Sequence, residues 1–159
     1  MSIEIYTDGS AVPNPGNGGW GFVIFQQDIK KKTYCGFVPE KTTNNKMEIM
    51  AITKAIQKAE KKYDKETILV YTDSRYVKDG LIGKNGKLFN GWIKSWLKNG
   101  WINAKKQDVK NKQEWQLLYS TLQNTKNKYD IQWVKAHADN KGNNIADELA
   151  NMGREKKFK

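Results

Sequence analysis

A chain of 159 residues with 38% hydrophobic content can bury one sizeable core, and a single domain is the natural count. Its net charge of +11 and pI near 9.6 point to a polyanionic partner, most simply nucleic acid, with an acidic membrane surface as the competitor. There is no apolar run of the roughly 18 residues a spanning helix needs, and the start Met-Ser-Ile-Glu-Ile lacks a basic segment and a leader-like apolar stretch, so neither a membrane span nor a secretory leader is expected.

In chain order, the first strand is predicted over residues 2–7, where Ile3-Glu4-Ile5 runs into Tyr6-Thr7-Asp8 and the turn signal Gly9-Ser10. Residues 13–19, rich in Pro, Asn and Gly, read as a turn. Strands over 20–26 and 32–38 follow, joined by a turn at 27–31, so the first three strands predict an antiparallel meander. The second of these holds Cys35, the single cysteine, which cannot form an internal disulfide. It reads as a small core residue in a reducing compartment, the cytoplasm. From Asn44 to Tyr63 the residues Ile52, Ala55, Ile56, Ala59 and Tyr63 recur at helical spacing. That helix permits a parallel crossover to a strand at 67–72, Ile68-Leu69-Val70 closing on Tyr71-Thr72-Asp73. Helical pattern fills most of 74–125, a fifth strand is predicted at 128–135, and a last helix spans 143–152. The fold class is α/β, a mixed five-stranded sheet flanked by helices. Arg154, Lys156, Lys157 and Lys159 form a basic tail expected to be disordered, which divides the chain into a domain at 1–153 and a tail at 154–159.

Tyr-Thr-Asp occurs twice, ending at Asp8 and at Asp73. If those strands are neighbours, two carboxylates sit together, and like charges that close repel unless a cation lies between them. Taken singly, Asp8 equally suits a turn and Asp73 a helix cap. Glu48 lies one turn before Ile52 on the core-facing stripe, where an acid is costly unless paired, protonated or metal-bound. It also suits a first-turn acid favoured by the helix dipole. Asp147 sits off the stripe of Ile145, Leu149 and Met152 and by itself reads as a solvated acid.

Between residues 91 and 115, Trp92, Trp96, Trp101 and Trp115 interleave with Lys94, Lys98, Lys105, Lys106, Lys110 and Lys112, with Asp108 as the one Asp between Trp92 and Lys112. Such density of cations adds sequence-independent phosphate affinity, and an exposed indole can lie against a base or sugar. For Trp96 and Trp115 a core position is the plainer reading.

The ordered series Thr7-Asp8-Gly9-Ser10, Thr42-Thr43-Asn44-Asn45-Lys46-Met47-Glu48, Thr72-Asp73-Ser74, Val134-Lys135-Ala136-His137 and Asp147-Glu148-Leu149-Ala150 resembles type 1 ribonuclease H over about residues 3–152. The resemblance implies a ribonuclease H-like fold with a basic helical protrusion, and endonucleolytic cutting of the RNA strand of RNA–DNA hybrids with 5′-phosphate and 3′-hydroxyl ends. It implies that Asp8, Glu48, Asp73 and Asp147 are catalytic metal ligands, and that His137 supports proton transfer or product release. Two cations roughly 4 Å apart can stabilise both nucleophile and leaving oxygen. Hard oxygen ligands suit Mg²⁺, with Mn²⁺ a substitute. By the same resemblance Asn14, Asn44 and Asn45 read 2′-hydroxyls, Lys41, Thr43 and Asn111 hold a DNA phosphate, and Trp92 with Lys94, Lys98, Lys105 and Lys106 grips the DNA strand. Asn14 equally suits a turn, and Asn44-Asn45 a helix start. The connection at 80–91 is longer than the family's usual one. The expected partner is an RNA–DNA hybrid bound by a monomer, with no membrane involved. Two rivals remain: a related DNA-cutting nuclease, and a non-catalytic module that binds hybrid or double-stranded RNA.

Overall fold

The computed structural model describes residues 2–136 and 139–157. Strands β1 (Ile3–Val12), β2 (Gly16–Gln26) and β3 (Ile29–Thr42) form the antiparallel meander, and helix α1 (Asn44–Lys62) crosses to β4 (Thr67–Thr72). Between β4 and β5 (Lys128–Trp133) lie α2 (Arg75–Val77), a π-helical turn (Lys78–Ile82), α3 (Trp92–Asn99) and α4 (Lys112–Gln123), and α5 (Lys141–Arg154) follows β5. The sheet order is β3-β2-β1-β4-β5, with β4 parallel to both β1 and β5. The predicted mixed five-stranded sheet is therefore present.

Helices cover both faces. The larger core joins Ile3, Ile5, Phe22 and Ile24 of the sheet to Ile49, Ile52, Ile56 and Ala59 of α1 and Trp115 and Leu118 of α4. On the other face Val23 and Phe25 meet Leu149 of α5, with Tyr6, Ile145 and Met152 packed around them. Alternation along β2 divides its side chains between these two cores, as period two requires. No helix among the described residues is long and apolar enough to cross a membrane.

Several boundaries differ from the sequence expectation, each for a tertiary reason. The chain does not break after Asp8: β1 pairs with β2 as far as Val12↔Asn17, so Asp8 lies within a strand. Only Pro13, Asn14 and Pro15 separate β1 from β2. Gln27 and Asp28, both at positive φ, make a two-residue connection whose twist matches the flanking strands, so β3 starts earlier than expected. The helical pattern of 74–125 is interrupted at 83–91 and 100–111. The longer connection at 83–91 is anchored by Leu88 and Phe89, which pack on the main core, and Phe89 sits edge-on to Tyr119 at 5.2 Å. At the far end α5 runs through Arg154, one residue past the expected domain limit. Lys156 lies 4.4 Å over the Phe37 ring.

Candidate active site

The two Tyr-Thr-Asp segments lie side by side. Tyr6 is the register partner of Tyr71, and their rings stack at 4.6 Å. Two residues beyond this last register pair come Asp8, within β1, and Asp73, the residue that follows β4. Thr7 Oγ1 donates to the Tyr71 carbonyl at 3.0 Å and keeps the strands together up to that point. Glu48 reaches the two aspartates from the first turns of α1, and its Oε1 accepts from the Gly9 N–H at 3.0 Å. Residue 9 must be glycine for this approach, because a Cβ there would stand 2.2 Å from the Met47 backbone.

One ligand oxygen each from Asp8, Glu48 and Asp73 lies within 4.8 Å of the others. Asp8 is 5% exposed, while Glu48 and Asp73 are half-buried. Burial, and after it the charge of Asp73, pushes the Asp8 carboxyl up to about 8. Glu48 is held well above the usual carboxylate range by burial and then by Asp8. Asp73 is raised mainly by burial, against the hydrogen bond it receives from Asn143. Trp133 Nε1 donates to the Asp73 carbonyl at 3.1 Å and fixes the backbone that carries this carboxylate. Asp147, on an exposed turn of α5, turns inward enough to hydrogen-bond Asp8 and repel Asp73. It flanks the tight trio without joining it. Desolvated, mutually repelling oxygen donors at this spacing fit a hard divalent cation. The remaining catalytic expectation, His137, lies outside the described residues.

The RNase H family model matches residues 1–155. The chain belongs to the ribonuclease H family. It is 42% identical over 151 residues to ribonuclease H of Francisella tularensis subsp. novicida (strain U112), covering 94% of this chain and 88% of that protein. It is similar to the solution structure of the PFV RNase H domain, with a TM-score of 0.71 and 28% identity over 97% of this chain and 94% of that one. It also resembles a foamy viral protease–reverse transcriptase solved in complex with an RNA/DNA hybrid, with a TM-score of 0.76 and 25% identity over 96% of this chain and 20% of that much longer one. As a ribonuclease H, the chain is an enzyme.

The ribonuclease H residues expected to meet nucleic acid fall into three places. Asn44 Oδ1 accepts from the Ala11 N–H at 2.7 Å, and the Asn44 N–H donates to Asn14 Oδ1 at 3.1 Å. These contacts use the Oδ1 atoms, tie the β1–β2 turn to the start of α1, and leave both amide NH₂ groups without an acceptor among the described residues; half-buried Asn45 follows on the same turn. Thr43 is the cap of α1, its Oγ1 accepting from the Lys46 N–H at 3.2 Å, with exposed Lys41 two residues before it. Asn111 lies at the start of α4, where its Nδ2 donates to the Tyr76 hydroxyl at 3.1 Å.

The protrusion is built on a ring cluster. Trp115 is fully buried, and Trp96 and Trp101 pack against the core, in keeping with the plainer reading of Trp96 and Trp115. Trp92 is 45% exposed and leans edge-on against Tyr76 at 5.8 Å. Lys94 and Lys98 on α3 and Lys105 and Lys106 in the following turn are exposed, and none has an acidic partner among the described residues. Asp108 is taken by Lys112 at 3.3 Å. Sequence reading missed Tyr76, whose hydroxyl also accepts from Trp115 Nε1 at 2.9 Å and so joins α2 to the protrusion. Its only signal was a position three residues after Asp73. Asn143, the partner of Asp73, was missed as well.

Proposed function

We propose that this ribonuclease H hydrolyses the RNA strand of RNA–DNA hybrids, leaving 5′-phosphate and 3′-hydroxyl ends, with two Mg²⁺ ions held by Asp8, Glu48, Asp73 and Asp147. The observation that carries this reading is the carboxylate trio by the end of β4, in a chain of net charge +11. A protein that only gripped polyanions would gain nothing by gathering negative charge where the phosphate must lie. Bound cations would supply the positive charge that stabilises attacking water and leaving 3′-oxygen in phosphodiester hydrolysis. Asp8 stands centrally to hold them. The Gly9 N–H aims Glu48, and Asn143 orients Asp73.

Substrate grip falls to groups further out. Lys94, Lys98, Lys105 and Lys106 meet DNA-strand phosphates, and Trp92 offers a ring face. Lys41, Thr43 and Asn111 serve a phosphate contact. The amide groups of Asn14 and Asn44, with Asn45, read 2′-hydroxyls across the shallow minor groove that distinguishes RNA-containing helices. His137 assists proton transfer or product release. The test is a hybrid labelled on each strand, incubated with and without Mg²⁺ beside duplex DNA and duplex RNA. Mg²⁺-dependent cuts confined to the RNA strand of the hybrid are expected. Cutting of duplex DNA alone, or tight hybrid binding without cleavage, would overturn the proposal.

A further inference from the structure

On the α1 face of the sheet, β2 and β3 carry a ladder of aromatic rings that the catalytic reading leaves unused. Trp20 and Phe22 stack at 5.9 Å and 14°, and Phe22 and Tyr34 at 4.9 Å and 27°. Phe22 is buried, whereas Trp20 and Tyr34 are half exposed. Trp20 can lie across the edge strand because residue 36 is glycine: a Cβ there would stand 2.3 Å from the indole. From α1, Lys54 places its ammonium 5.7 Å over the Trp20 ring and Lys58 4.9 Å over Tyr34. With Lys61 these groups wall a cleft of about 270 Å³.

No acidic side chain lines the cleft, and none of the three lysines has an acidic partner among the described residues. Cations at positions i, i+4 and i+7 of one helix repel one another, a cost that an anion in the cleft relieves. Aromatic rings beside cations that no acid neutralises are the two elements by which an unpaired nucleic-acid strand is held without sequence preference. A duplex keeps its bases inside the stack and cannot use the rings. An acidic peptide would match the charge and leave the rings unused. Lys58 lies ten residues beyond Glu48 on α1, about 15 Å along the helix axis, a distance a few nucleotides bridge.

The geometry points to a second nucleic-acid site at this cleft: an unpaired strand continuing from a hybrid held at the carboxylates stacks a base on Trp20 or Tyr34 and draws the Lys54 and Lys58 ammonium groups onto its phosphates. The connection to a hybrid rests on the function proposed above; the single-strand site does not. Binding is measured without divalent cation, using a blunt hybrid, the same hybrid carrying a short oligothymidine tail at each strand end in turn, and the tail alone. At least one tail tightens binding by roughly tenfold, the scale of one stacked base. The variant Lys54→Gln/Lys58→Gln loses that gain while binding and cutting the blunt hybrid as before. Tyr34→Leu loses the ring contribution with the lysines in place, and unchanged melting shows that both variants fold. The site is overturned if no tail adds affinity, if the double lysine variant keeps the gain, or if polyglutamate competes as well as the tail. If the blunt hybrid fails to bind while the tail alone binds through these residues, the single-strand site stands and the hybrid function falls.

Discussion

At Asp8 desolvation and the repulsion of Asp73 act in the same direction, and together they lift its carboxyl to about 8. An acid whose folded pKa lies above its unfolded value of 3.8 binds protons more tightly in the native state. Its ionisation therefore removes stability as pH rises from about 4 to about 8, with no penalty below that window and the full penalty above it. Asp8→Asn should abolish hybrid cleavage, yet make the metal-free protein more stable than the parent at pH 8, with the difference fading toward pH 4. Urea unfolding in the presence of a chelator at both pH values tests this, and a difference independent of pH would show that Asp8 is not the strained acid. His137→Ala should slow turnover by on the order of 10- to 1000-fold, the range open to an assisting acid–base group. Calorimetric Mg²⁺ affinity should be retained, and its loss together with all activity would mark His137 as a ligand.

Two elements carry the surrounding machinery, and each can be tested separately. The close approach of β1 to α1 depends on Gly9, since a methyl group there meets the Met47–Glu48 backbone, not a side chain that could swing away. Gly9→Ala should cost roughly 1–3 kcal/mol, as overpacking at a rigid contact does, and should withdraw the hydrogen bond that aims Glu48. Denaturant midpoints together with Mg²⁺ titration check both effects; a stable variant with parental metal affinity would contradict the packing account. The protrusion acts through charge. Replacing Lys94, Lys98, Lys105 and Lys106 by Ala should weaken hybrid binding and flatten its salt dependence, by roughly 0.9 in the log–log slope for each phosphate no longer neutralised. Turnover at saturating hybrid should change much less, because groups remote from the scissile bond hold substrate and transition state alike. Parental affinity and slope would reduce these lysines to a solvated helical face.

Over the whole molecule, a chain of net charge +11 still gathers Asp8, Glu48 and Asp73 within 4.8 Å of one another, where a cation can compensate them, so binding and folding are linked. Mg²⁺ should raise the melting temperature of the parent protein, since a ligand that binds only the native state stabilises it by RT ln(1 + [L]/Kd). The shift should be larger at pH 8 than at pH 5, where protons compete for Asp8 and Glu48, and nearly absent in Asp8→Asn. Thermal melts with and without Mg²⁺ measure it, and an equal shift in parent and variant would place the stabilising ion elsewhere.

By itself the sequence determined the local patterns: β-branched runs ending in Asp8 and Asp73, the helical stripe of α1, the basic aromatic segment, and the ordered motifs that resemble one family. Period two and period 3.6 report which side of an element is buried, so the strand series and the half-buried position of Glu48 were legible from them. Only the tertiary structure decided what lies opposite each face. The pairing Tyr6↔Tyr71 brings Asp8 beside Asp73, and that register belongs to two strands more than sixty residues apart in the chain. The run of β1 past Asp8 follows from its antiparallel partner β2, which overrode the turn signal of Gly9-Ser10. Asp147 lies off its helix stripe, yet the packing of α5 across β1 and β2 turns it toward Asp8. The junction at Tyr76 likewise depends on where the chain returns in space, because its hydroxyl meets Asn111 and Trp115, more than thirty residues away, and the position of so distant a partner is not set by the periodicity of the segment that carries the tyrosine.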